Sequence, residues 1–217
     1  MRFIKSDARI IFVGLFALTL CVTGTGCGTD AQVLYFVKGH DIPAAYSGFE
    51  DKRVAIVVNT ESSSFGPDSL SDTMKRYLHL KLATNISSVQ IVSDTEVRNW
   101  MDLNDSDGSD LVELGKAVGA DLVLAVDIDD YRIRQGRTIH KGQADVEVSV
   151  VEVATGNPTF SYGPEHLEYP ENGRPALNTT DRQFQVFYLS WLTERIARNF
   201  YKHDGLTDVA EDAAFAG

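Results

Sequence analysis

Cysteine is almost missing from this chain: two residues in 217, Cys21 and Cys27, both near the amino terminus. A disulfide framework therefore does not hold the fold, and stability has to come from a hydrophobic core. Positive charge is also short, with 20 lysines and arginines against 31 acids and a formal net charge of −11. Such a surface repels nucleic acid and anionic lipid headgroups, which disfavours a polyanion-binding role. Long apolar runs are absent after the first two dozen residues, and no later stretch approaches the ~20 residues that a spanning helix needs. Internal repeats and long low-complexity tracts are absent too. The common catalytic signatures do not occur: there is no Gly-x-Ser-x-Gly elbow, no phosphate-binding loop and no His-Glu-x-x-His zinc helix.

What is present begins with the amino terminus. Arg2, Lys5 and Arg9 precede an uncharged, mainly apolar segment from Ile10 to Val22, which leads into Thr23-Gly24-Thr25-Gly26-Cys27. Basic head, apolar middle and small-residue exit form the pattern of an export signal, and the apolar part is too short for a permanent span. The exit resembles the bacterial lipobox, with Gly26 directly before Cys27 and Gly24 where leucine is usual. This resemblance implies cleavage after Gly26 and lipidation of Cys27. Gly24-Thr25-Gly26 also fits ordinary small-x-small cleavage, which would leave a soluble exported chain with a free thiol. Lipidation is the favoured reading, because Cys21 would leave with the signal and Cys27 would be the lone remaining thiol. Several acyl chains on one residue anchor stably where a single chain does not. Gly28, rather than aspartate, follows the cysteine, and by the family rule this favours the outer membrane, facing the periplasm. Loss of residues 1–26 removes three basic side chains and one acid, Asp7, which takes the formal charge to −13.

Along the rest of the chain, residues 27–51 read as lipidated terminus, strand (Gln32 to Val37) and tether. Residues 52–203 read as one domain, and 204–217 as a small, acidic, flexible tail. Val54 to Val58 is continuously apolar, as expected of a strand covered on both faces. Gly66-Pro67 opens a helix with Leu70, Met74, Tyr77, Leu78 and Leu82 on one face. Val89 to Val92 predicts a short strand. Ser93 with Glu96 forms a capping box for a helix carrying Val97, Trp100 and Met101. After the polar loop Asp102 to Ser109, Leu111, Leu114 and Val118 line a further helix, which Gly119 stops. Leu122 to Ile128 is the second buried strand, running on through Ile133 into a turn at Arg134 to Arg137. Ala144, Val146, Val148 and Val150 then alternate with Asp145, Glu147 and Ser149, which predicts a half-exposed antiparallel strand. Val151 and Val153 reverse the parity, from a bulge or from the end of the exposed face. Ala154 to Asn157 is a turn, Thr159 to Tyr162 a returning strand, and Gly163 to Thr179 a loop. Thr180 with Gln183 caps a last helix whose broad apolar stripe includes Phe184, Tyr188, Trp191 and Ile196. The fold class is α/β, an α+β sandwich with one mixed sheet, a βαβααβ start, a β-meander and a closing helix.

The segment Leu114-Gly115-Lys116-Ala117-Val118-Gly119-Ala120-Asp121-Leu122-Val123-Leu124, followed by a meander ending Val151-Glu152-Val153-Ala154-Thr155-Gly156, carries a family resemblance. It resembles the envelope-lipoprotein superfamily that includes the amino-terminal domain of TolB, the LpoB-like activators of penicillin-binding proteins and the curli-secretion lipoprotein CsgG. The resemblance spans roughly residues 52–162 and rests on a helix–Gly-Ala-Asp–strand unit and a Thr-Gly turn, with Glu152 near the position where the family often has aspartate. These motifs are structural, so they imply fold more than function.

Two acidic clusters are the candidates for chemistry. Asp105 and Asp107 lie in a loop with some likeness to a calcium loop. Aligning Gly108 with the invariant glycine, however, puts Leu103 at the first ligand position and Leu114 at the bidentate glutamate, which excludes an EF-hand. Asp127 and Asp129 share a strand face, where they could do acid–base or metal work, or be neutralised by Arg132 and Arg134. The histidines, His40, His79, His140, His166 and His203, are too scattered to suggest one metal. Asn85 and Asn178 begin Asn-x-Ser/Thr triplets, which matter only in a eukaryotic secretory route. No cofactor or metal is expected.

The functional expectation is a non-enzymatic, membrane-anchored module of the bacterial envelope. It would act on another envelope protein and could form a homo-oligomer, with no nucleic-acid partner. The alternatives are a CsgG-like transport or secretion subunit and a hydrolase using the Asp127/Asp129 face. A membrane barrel needs further amphipathic strands of about ten residues, and only Ile139 to Val153 alternates at that length.

Overall fold

The computed structural model describes residues 41–60, 70–136, 139–170 and 179–205. They belong to the compact unit Ile42–Gly217 except for Asp41, which lies just across its boundary. The signal, Cys27, the Gln32–Val37 strand and Gly66-Pro67 lie outside the described residues, as does the tail beyond Gly205.

Five strands form one open mixed sheet: β2 (Arg53–Thr60), β3 (Gln90–Ile91), β4 (Leu122–Gln135), β5 (Ile139–Glu152) and β6 (Pro158–Tyr169). Their order is β3-β2-β4-β5-β6, with β2 parallel to β3 and β4 and the last three strands antiparallel. A separate two-stranded sheet pairs β1 (Asp41–Ile42) with β7 (His203–Asp204). Four helices complete the unit: α1 (Leu70–Asn85), α2 (Asp94–Asn104), α3 (Leu111–Ala117) and α4 (Asp181–Ala197), the last continued by a short 3-10 turn. This is the expected α/β architecture in the expected element order.

The sheet separates two cores of unequal size. α1 and α4 cover one face, burying Leu70, Met74, Leu78 and Leu82 with Phe184, Tyr188, Leu192 and Ile196 against Val54, Ile56, Leu124, Val126 and Val146. On the opposite face, Val97 and Leu114 from α2 and α3 pack on Ala55, Val57, Val123 and Val153. Both sides of β2 are therefore buried, which is why its sequence is apolar without alternation. The parity change at Val153 has the same cause. β5 stays in register with β4 through Val151 and Glu152, and the face that was open at Asp145 and Glu147 is here covered by α3.

Four local expectations change. Ser93 caps α2 by accepting from the amide of Thr95 at 3.3 Å, but Glu96 does not reach back to complete a box. Its carboxylate instead pairs with Arg53 at 3.1 Å, across to β2. β6 continues to Tyr169 through the stretch read as a loop, with Leu167 and Tyr169 buried. An edge strand tolerates the proline there because its outer side needs no ladder donor. Gly163 makes this course possible: at φ +97, a β-carbon would fall 2.3 Å from the carbonyl oxygen of Val146. The turn expected at Arg134 to Arg137 is also later, since β4 runs to Gln135. Thr180 and Gln183, by contrast, make both arms of the box that starts α4, and Gly119 closes α3 at φ +66. Finally, the core extends ahead of Lys52. Phe49 is wholly buried, stacked on Phe200 at 4.8 Å, and Tyr46 packs beside them.

Candidate functional site

The second core stops partway along the sheet, because α2 and α3 are short. Beyond Val123 and Val153 the same face is lined by Asp127 and Asp129 of β4 and by Asp145 and Glu147 of β5. The register sets Asp127 directly opposite Glu147 and Asp129 directly opposite Asp145. Directly opposed side chains in an antiparallel pair point the same way and lie close together, so this is a surface of two facing carboxylate pairs. Asp129 and Glu147 are exposed, while Asp127 and Asp145 are half-buried.

The partners are few. Asn59, opposite Asp127 on β2, donates its side-chain amide to that carboxylate at 2.9 Å. His166 of β6 meets Asp145 at 2.6 Å and lies 3.9 Å from Glu168. Lys141 pairs with Glu168 at 2.7 Å, and that hydrogen bond, more than any other contact, holds the Glu168 carboxyl below its ordinary pKa. Of the two arginines that could neutralise the cluster of Asp127, Asp129 and Asp130, neither touches Asp127 or Asp129, but Arg132 pairs with Asp130. Asp130 takes a left-handed conformation, φ +50, where the β4–β5 register slips between Asp129 and Arg132. Arg132 then turns back onto Asp130, whose carboxylate raises the guanidinium pKa. The bulge also swings Tyr131 into the large core, where it stacks on Tyr188 at 5.7 Å and burial raises its phenol pKa. Arg134 reaches across to Asp181, the first residue of α4, together with His140 at 2.7 Å. These contacts, His140 first and Arg134 next, hold the Asp181 carboxyl below its ordinary pKa.

The other acidic cluster is used up locally. Asp105 ends α2 in a left-handed conformation, φ +50. Asp107 accepts from the Ser109 amide at 3.0 Å, and its hydrogen bonds to Ser109 lower its pKa. The loop lies against the edge of the acidic face, with Gly108 over Val57 and Asn59. Leu103 is exposed and Leu114 belongs to the core. Among the described residues no three histidine, cysteine or acidic side chains converge on a common metal position. His79, His140, His166 and His203 stand on separate elements, and His40 and Asn178 lie outside the described residues. The Asn85 side chain donates to the Lys81 carbonyl at 2.8 Å. Asp145 and Glu147 were legible only as the outward half of an alternating strand, since cross-strand register is not written in the sequence.

One further surface feature is a shallow depression of about 470 Å³ at the start of α4, lined by Thr180, Arg182, Gln183, Val186 and Phe187. No helix among the described residues is long and apolar enough to cross a membrane.

No family model and no curated protein matches this chain. Solved structures are similar to it in fold. Lipoprotein GNA1162 from Neisseria meningitidis is 13% identical with a TM-score of 0.45, covering 67% of this chain and 97% of that one. A PelC dodecamer from Paraburkholderia phytofirmans is 10% identical with a TM-score of 0.44, covering 74% of this chain and 95% of that one. The LpoB C-terminal domain from Salmonella enterica is 13% identical with a TM-score of 0.36, covering 61% and 88%.

Proposed function

We propose that this protein is a lipid-anchored interaction module of the bacterial envelope, tethered through Cys27 and acting by binding another envelope protein rather than by catalysis. The observation that carries the reading is the run from Arg2 to Cys27, a basic head, an apolar stretch and a small-residue exit on a lone mature cysteine. The domain behind it fits a binding role. Arg134, His140 and Asp181 are engaged with one another and tie β4 and β5 to α4, while Asp127, Asp129, Asp145 and Glu147 line an open sheet surface. Outer-membrane attachment facing the periplasm follows from Gly28 after the cysteine, as part of the same proposal. The test is intact mass spectrometry of the protein extracted from membranes, followed by crosslinking from the domain surface. The expected mature chain starts at Cys27 and carries acyl chains, and Cys27→Ser shifts it to the soluble fraction. An unmodified amino terminus overturns the anchor. A crosslinked envelope fraction that yields no protein partner overturns the binding role.

A further inference from the structure

We propose that the chain self-associates head to tail, the uncovered half of the sheet in one copy docking on the outer surface of the α1–α4 pair in the next. The two surfaces are complementary in charge and lie on opposite faces of the same sheet. One carries the directly opposed pairs Asp127/Glu147 and Asp129/Asp145. Among the described residues Asp129 and Glu147 have no hydrogen-bond or ion-pair partner; the other two carboxylates have the Asn59 amide on Asp127 and the His166 imidazole on Asp145, with the Arg132 guanidinium acting on Asp145 at longer range. Like charges facing each other across a strand pair cost stability, and a cationic surface laid on them removes that cost.

The other surface belongs to the helix layer. Arg76 and Leu80 sit on the side of α1 opposite its buried stripe of Leu70, Met74, Leu78 and Leu82. Arg182 and Val186 are exposed on the first turns of α4. Leu80 is 59% and Val186 50% exposed, which makes them two of five large apolar side chains left exposed among the described residues. Neither Arg76 nor Arg182 has a partner among the described residues, whereas the Lys81 and Glu194 charges of the same helices are already paired. Two free guanidiniums beside exposed apolar groups are matched to a carboxylate surface by both charge and hydrogen-bond geometry. Because the two patches differ, the contact is heterologous and repeats from copy to copy. The inference does not depend on the lipid anchor.

The experiment is sedimentation equilibrium of the exported chain carrying Cys27→Ser, so that lipid does not drive association. Wild type is expected to associate, with weakening as salt rises. Two variants each break one surface, Arg76→Glu with Arg182→Glu and, separately, Asp129→Asn with Glu147→Gln, the second neutral so that the two altered surfaces do not attract each other. Each alone is expected to raise the dissociation constant about tenfold or more. Mixed together they are expected to form a 1:1 pair and nothing larger, since each keeps one intact surface. Circular dichroism and thermal melting confirm that both variants remain folded. A wild type that is monomeric at every concentration overturns the proposal. Association that is indifferent to either variant overturns it as well. Loss with the carboxylate variant but not with the arginine variant also overturns it, by assigning the acidic face to a different cationic partner.

Discussion

Gly142 on β5 leaves the space that the ring of Tyr188 on α4 occupies: a β-carbon at Gly142 would lie 2.3 Å from Cδ2 of that ring. The ring is fully buried, stacks on Tyr131 and donates its hydroxyl to the carbonyl of Leu167 at 2.8 Å. Helix and sheet are thus set at a distance that a single methyl group would change. Gly142→Ala is expected to destabilise by about 3 kcal/mol through overpacking. Urea unfolding checks it, and a cost below about 0.5 kcal/mol would contradict this packing.

Glu194 ties α4 to both of its neighbours. It pairs with Lys81 on α1 and with Arg198 at 3.1 Å, and it accepts from the hydroxyl of Tyr201 at 2.8 Å. Burial alone would raise its carboxyl pKa, but the hydrogen bonds from Lys81 and Tyr201 outweigh it and leave the pKa below the ordinary value. A carboxyl depressed in the fold stabilises above its unfolded pKa, and that contribution disappears as pH falls through the folded value. Glu194→Gln is therefore expected to cost about 2 kcal/mol at neutral pH. The gap between variant and wild type should close as pH drops below about 4. Denaturant midpoints across pH measure it, and a gap that does not change with pH contradicts the account.

Thr180 and Gln183 satisfy each other's end of α4, the side chain of each accepting from the backbone of the other. Removing the hydroxyl with Thr180→Ala is expected to cost about 1 kcal/mol. The effect should persist in high salt, unlike that of an ion pair. Thermal unfolding at two ionic strengths distinguishes the two.

Asp129 and Glu147 should behave in the opposite sense. Replacing them by Asn and Gln relieves two opposed like-charge pairs, so the domain is expected to gain a few tenths of a kcal/mol for each. Salt should shrink the gain through screening. Melting temperatures at low and high ionic strength test this, and destabilisation at low salt would show that the carboxylates hold contacts within the fold.

Much of the architecture was legible because burial leaves periodic marks. The unbroken Val54–Val58 run, the strict alternation from Ala144 to Val150 and the stripe at Leu70, Met74, Leu78 and Leu82 each name an element and its buried side. Caps were legible where the partners are local, as at Thr180 and Gln183. They were misread where a distant residue competes, as Arg53 does for Glu96. The second half of β6 was hidden because proline and glycine signal loops in a sequence, while an edge strand tolerates both.

The candidate surface shows the same division. The chain by itself determined that Asp127 and Asp129 share a face and that Asp145 and Glu147 point outward, since side-chain direction alternates along any strand. Only the tertiary structure decided that these residues face one another, that α2 and α3 stop short of them, and that Arg132 and Arg134 turn elsewhere. Direction along a strand is a local property of the backbone. Register, coverage by helices and the choice among competing partners depend on contacts between residues far apart in the chain, and these exist only once the fold has formed.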